Sequence, residues 1–188
     1  MAVMTAMPHD TDWTVADLEN LPDDGFQYEL IDGMLLVTPA PGWSHQEMGF
    51  ALAVYLRERC PADLRTLPAP FAVRTGMDSE VQPDVIVARY VEFTPENLPV
   101  APLLAVEVLS HSTRLKDRNL KKAHYERIGV EAYWILDPAE PGALTAFELE
   151  AGTYRQVAHV EGDAEFAASR PFPITVVPAR LLDGLRPR

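Results

Sequence analysis

The chain of 188 residues carries 16 basic and 28 acidic side chains, a formal net charge of −12, with 47% hydrophobic residues. That is enough apolar material for one domain with a substantial core, expected over residues 13–188 behind a flexible stretch at residues 1–12. The charge argues against broad polyanion binding, because phosphate affinity comes largely from cations displaced by Lys and Arg. No apolar run approaches the roughly eighteen residues of a membrane span. The N-terminus lacks both the basic region and the sustained apolar core of a signal peptide. The single Cys60 can form no internal disulfide. Together these features lead us to expect a cytoplasmic protein.

In chain order, Thr14 caps a short helix over residues 14–21, with Asp17 and Glu19 near its start and Leu21-Pro22 at its end. After a turn at Asp23, Asp24 and Gly25, strands at 27–31 and 34–37 form a hairpin through Asp32-Gly33, the strongest short hairpin signal. A loop then leads to a helix over residues 44–59, with Ser44 and Glu47 as a capping box and Met48, Leu52, Tyr55 and Leu56 as its apolar face. Pro61 stops it. Residues 64–73 are extended but interrupted by Pro68 and Pro70, which suits a sheet edge.

Residues 84–89 and 103–109 are near-continuous apolar runs, the pattern of strands covered on both faces. Ser110, His111 and Ser112 open a helix reaching Ile128, and Gly129 is placed as its left-handed terminator. Residues 131–136 give a further central strand. Residues 144–160 form a second hairpin turning at 150–153, and residues 174–177 a last strand, with Leu181 and Leu182 packing the tail. The order predicts an α/β fold, a mixed sheet flanked by helices, with an N-terminal hairpin.

Chemistry concentrates between Gln82 and Trp134. Glu107 lies in a strand whose other side chains are all apolar, where a carboxylate is costly unless paired or bound to a cation. A structural ion pair with an arginine, or a strand end reaching water, would also explain it. Asp84 follows Pro83 and, by strand alternation, faces with Ile86 and Ala88. Pro-Asp is also ordinary turn chemistry. Two carboxylates on neighbouring strands repel unless a divalent ion lies between them, and hard oxygen donors suit magnesium or manganese.

The lysines are Lys116, Lys121 and Lys122; with Arg114, Arg118 and Arg127 they gather much of the positive charge beside these acids. The chain otherwise uses arginine, so a lysine here points to an amine that can release a proton. Lys121 shares a helix face with Asp117 and Tyr125, and from there it can hold or deprotonate an attacking water. Lys122 fits a solvated basic face. Glu29 is a candidate third carboxylate, or an exposed strand residue paired across the hairpin. His45 reads as a polar helix-end residue, and His111 and His124 take no role. The histidines lack zinc-site spacing, and phosphate loops, cysteine pairs and nucleophile elbows are absent.

A set of segments then resembles a known family. Tyr28-Glu29-Leu30-Ile31-Asp32-Gly33, His45, Gln82-Pro83-Asp84-Val85, Val106-Glu107-Val108-Leu109-Ser110, Ser112-Thr113, Asp117 with Lys121 and Tyr125, and residues 129–137 are similar to the Uma-two-type restriction endonucleases of the PD-(D/E)XK superfamily. The likeness runs from about Trp13 to Leu182. It implies a PD-(D/E)XK core, Mg2+- or Mn2+-dependent cleavage of nucleic acid (DNA foremost), and a homodimer. Asp84 and Glu107 take the two acid positions. Leu109 stands where the superfamily has lysine, and the resemblance transfers that role to Lys121.

The expected function is therefore a metal-dependent endonuclease. Asp84, Glu107 and the Val108 carbonyl bind the ion, Lys121 positions or activates water, and Glu29 assists. Two alternatives stay open: a catalytically silent nuclease fold serving as a nucleic-acid or protein-binding module, and hydrolysis of a small phosphorylated molecule.

Overall fold

The structure, a computed structural model, describes residues 12–110 and 116–185. The flexibility expected of residues 1–11, the helix opening at His111 and Ser112, and the place of Arg114 lie outside the described residues.

The first helix, α1 (Val15–Leu18), is a single turn. Thr14 and Asp17 close it, the Thr14 N–H and hydroxyl both donating to the Asp17 carboxylate at 2.8 and 2.7 Å. Strands β1 (Phe26–Ile31) and β2 (Met34–Pro39) form the expected hairpin. Asp32 and Gly33 adopt φ of 51° and 75°, the two positive values that a two-residue turn matched to strand twist requires.

Helix α2 (Trp43–Arg59) begins earlier than expected. Gly42, extended at φ −73° and ψ 168°, is its N-cap, so Ser44 falls inside the first turn and the Ser44–Glu47 capping box does not form. Cys60 ends the helix half-buried.

The prolines split the extended segment after α2. Strand β3 (Leu64–Pro68) is an edge strand of one sheet, while β4 (Ala72–Arg74) joins another. Strands β5 (Glu80–Val81), β6 (Val85–Arg89), β7 (Asn97–Leu98) and β8 (Leu104–Val108) follow. A π-helical stretch, Lys116–Lys121, runs into α3 (Lys122–Ile128), which ends at Gly129 with φ 88° as expected. Strands β9 (Ala132–Asp137), β10 (Ala143–Glu150), β11 (Thr153–Glu161), β12 (Phe166–Ala168) and β13 (Ile174–Val176) complete the sheets, before a tight helical tail at Pro178–Leu185. Strands β5, β7 and β12 have only two or three residues each, too few to show a period in sequence.

The central sheet has the order β11-β10-β9-β8-β6-β3, antiparallel except for the parallel pair β8 and β9. A second sheet, β2-β1-β5-β4-β7, contains the N-terminal hairpin. Both faces of the inner strands β6, β8 and β9 are covered, which is why these three are almost entirely apolar, whereas β11 at the edge is mostly exposed. On one face Met48, Leu52 and Leu56 of α2 pack on Val85, Val87, Leu104, Val106, Trp134 and Leu136. On the other, Ile31, Leu36, Val73 and Val81 of the second sheet and Tyr125 of α3 pack with Ile86, Ala105, Leu109 and Tyr133. Each fully buried aliphatic side chain contributes about 1.5–3 kcal/mol, so the site rests on two cores that share one sheet. No described helix is long and apolar enough to cross a membrane.

Candidate active site

Alternation along β8 sends Leu104, Val106 and Val108 toward α2 and leaves Ala105, Glu107 and Leu109 facing the second sheet and α3. Glu107 is 3% exposed, deep in that second layer. Its carboxylate meets Lys121, whose Nζ lies 3.1 Å from both Oε1 and Oε2, and it accepts the Tyr125 hydroxyl at 2.6 Å. Both partners come from the helix that follows β8 and turns back over it. The strand position is buried and does not reach water, and among the described residues Glu107 forms its ion pair with a lysine.

Glu29 arrives from β1. Its Oε1 is 2.9 Å from Lys121 Nζ and accepts the Gln82 N–H at 2.8 Å. It is 4% exposed, which removes the reading of an exposed cross-strand residue. The Lys121 ammonium thus sits between two buried carboxylates that are 78 positions apart in sequence (107 minus 29). A buried pair of like charges is tolerable only with such a cation and with hydrogen bonds to the remaining lone pairs. Tyr125 keeps its proton: burial first, then the charges of Glu107 and Glu29 and the nearby Tyr133, raise its pKa well above 10.0.

Asp84 is placed differently from expectation. Strand β6 starts one residue later, at Val85, and Asp84 is a bend residue after the buried Pro83. It therefore does not follow Ile86 and Ala88 into the second layer. Its Oδ2 turns toward α2, accepting the Val108 N–H at 2.7 Å and lying 3.2 Å from His45 Nε2. The physical reason is local: the backbone donor of Val108 at the end of β8 takes a carboxylate in place of a strand partner. The β6–β8 register, continued one step past Val85 and Val106, still puts Asp84 opposite Glu107.

His45, read from sequence as a polar helix-end residue, is the side chain that holds Asp84. Its signal was present in the motif set, without a role. Tyr125 was placed on the Lys121 face and does reach Glu107; Asp117's side chain lies outside the described residues. Lys122 differs from expectation. It is half-buried, with its ammonium 4.0 Å from the Phe147 ring centroid, a cation–π contact in place of a solvated face. His124 is 1% exposed; burial first, then Arg127, lower its pKa to about 4, so the ring is neutral.

A divalent ion is what the acid pair suggests by chemistry. The donor types fit: three carboxylates, Glu29, Asp84 and Glu107, offer hard oxygens, and Asp84 Oδ1 accepts from none of the described residues. The Lys121 ammonium offsets only part of their charge, and no three His, Cys, Asp or Glu side chains among the described residues already converge on one point.

Fold and site together define a nuclease-like α/β protein with acids at adjoining strand ends and a buried lysine. The model of the Uma2 family, described as "putative restriction endonuclease", matches residues 15–180, and the chain belongs to that family. The crystal structure of a putative nuclease belonging to DUF820 from Anabaena variabilis is similar in fold, with a TM-score of 0.63 and 19% identity over 82% of this chain and 88% of that one. No curated protein matches the sequence.

Proposed function

We propose that the protein is a Mg2+- or Mn2+-dependent endonuclease that hydrolyses phosphodiester bonds, with DNA as the first substrate to test. The observation that carries this reading is the Lys121 ammonium held between Glu29 and Glu107, 6% exposed at the side chain, beside the strand end where Asp84 sits. A protein bears the desolvation of such a cluster for a reason other than stability, since well-packed apolar residues would serve a core as well or better.

Asp84, Glu107 and the Val108 carbonyl would hold the ion. When bound, it would polarise the scissile phosphate and favour water attack near neutral pH. Lys121 orients the incoming water through its N–H donors and offsets developing negative charge. Glu29 anchors that ammonium from the opposite side, and the Gln82 N–H fixes Glu29. Tyr125 orients Glu107 while keeping its own proton. His45 holds the Asp84 carboxylate through one oxygen, leaving the other free to act. A cytoplasmic homodimer is the assembly that a small reader of duplex DNA would favour.

One observation favours a second reading, a silent nuclease fold used for binding. Leu109 replaces the superfamily lysine, and Glu107 is already engaged by Lys121 and Tyr125. Calorimetry with MnCl2 or MgCl2 on wild type and Glu107→Ala, with circular dichroism as the folding control, separates the two. Ion binding by the wild type alone, together with metal-dependent nicking of plasmid DNA, is the expected result. Two folded proteins that both ignore the ion, with no nicking, would falsify the nuclease reading and leave the binding module.

A further inference from the structure

A cleft of about 140 Å³ opens beside Asp84 on the α2 side of the central sheet. Pro41, Phe50, Pro68, Ala69 and Pro70 line it together with the polar side chains of Gln27, His45 and Gln46. The proline wall is pinned to the floor by the Ala69 N–H, which donates to the Asp84 carbonyl at 2.9 Å.

The size is that of a cavity accepting a single benzene-sized ring, about 150 Å³, and far below the roughly 300 Å³ at which drug-sized ligand sites begin. The lining is mixed: Phe50 and the prolines give flat apolar surface, while Gln27, Gln46, His45 and Asp84 supply polar groups. Phe50 is 62% exposed, and Trp43, two helical turns earlier along α2, is 65% exposed. Phe50, an exposed aromatic side chain in the cleft lining, is a stacking platform. The chain's charge of −12 makes phosphate contacts a poor source of affinity, whereas stacking is insensitive to that charge.

We propose that this cleft takes one unpaired pyrimidine base of a nucleic acid strand, stacked against Phe50 and the proline wall with its edge read by Gln27 and Gln46. The inference deepens the nuclease reading and rests on it for the choice of ligand: it makes the substrate a single-stranded or locally opened segment, with the scissile phosphate beside Asp84. A bicyclic purine would overfill the ring-sized space. A paired base would not enter, because its edge and faces are already covered.

The test is fluorescence anisotropy with labelled oligo-dT, oligo-U, oligo-dA and a blunt duplex, in chelator without divalent ion, on wild type, Phe50→Ala and Glu107→Ala. The expected result is that oligo-dT or oligo-U binds about tenfold tighter than oligo-dA or the duplex, the better of the two naming the sugar. Phe50→Ala, an exposed truncation that leaves the fold intact, weakens the pyrimidine strand about tenfold and erases the preference. Equal binding of all four probes, or a preference untouched by Phe50→Ala, overturns the proposal. Glu107→Ala keeps the failures apart. A pyrimidine preference retained in both wild type and Glu107→Ala, with no cleavage by the wild type in Mn2+, supports the cleft and removes the nuclease reading. Cleavage without any preference overturns the cleft alone.

Discussion

Glu107 and Asp84 sit opposite each other on neighbouring strands, yet they inhabit different environments. Glu107 is buried with Lys121, Tyr125 and Glu29, which come from the π-helical stretch, helix α3 and the N-terminal hairpin. Asp84 is 18% exposed at its side chain, its carboxylate meets only His45 and the Val108 N–H among the described residues, and it borders an open cleft. One carboxylate is closely packed and the other borders open space. In the proposed site the two would share one ion, with Glu107 held in place by Lys121 and Tyr125 and Asp84 open to the cleft. The difference arises from a single backbone feature, the bend at Pro83-Asp84 that turns one side chain to the opposite face of the sheet.

Removing the lysine should break the comparison most severely. Lys121→Met leaves two buried carboxylates without their shared cation, an expected loss of about 3–5 kcal/mol in urea denaturation at pH 7. A loss below about 1 kcal/mol would mean that the cluster is wet and no different from the Asp84 side.

Next in size is the acid response of the buried side. His124 titrates near pH 4 in the fold against about 6.5 unfolded, so the unfolded chain binds the extra proton first. Its stabilising contribution is complete above pH 6.5 and is lost as pH falls through 4, on the order of 2–3 kcal/mol. Denaturation at pH 7 and pH 4.5 measures it, and His124→Phe should flatten that part of the pH profile. An unchanged slope in the variant would place the acid sensitivity elsewhere.

Tyr125→Phe removes the 2.6 Å hydroxyl donor to Glu107 while keeping the ring, and should cost about 1.5–3 kcal/mol, the range for hydrogen bonds to charged groups. The smallest effect is expected on the open side. Asp84→Asn retains an acceptor for the Val108 N–H and should change stability by less than about 1 kcal/mol, while abolishing metal-dependent cleavage. A folded Asp84→Asn that cleaves as well as wild type would show that the open carboxylate is not used.

Much of this was legible in the sequence, for reasons particular elements make clear. The Asp32-Gly33 turn was readable because few residue pairs tolerate two positive φ angles in succession. Gly129 was readable as a helix terminator on the same ground. The double-sided burial of β6, β8 and β9 showed in their unbroken apolar runs, and Glu107 stood out as the charge within one of them. The resemblance to the Uma2 family ordered these pieces, and the family match over residues 15–180 bears it out. The N-cap of α2 was misplaced by two residues because Gly42 begins the helix without a side-chain cap, a choice that no capping pattern displays.

The sequence by itself determined the parts: which strands are buried, where the chain turns, and that acids and one lysine must be satisfied among apolar neighbours. Those are short-range demands, set by residue type, period and backbone strain. Only the tertiary structure decided the partners. The pairing of Glu29 with Lys121, the capture of Asp84 by His45, the insertion of Lys122 over Phe147 and the cleft between α2 and the proline wall all join residues distant in the chain. Their distances depend on how the two sheets and the helices stack, which local pattern does not encode.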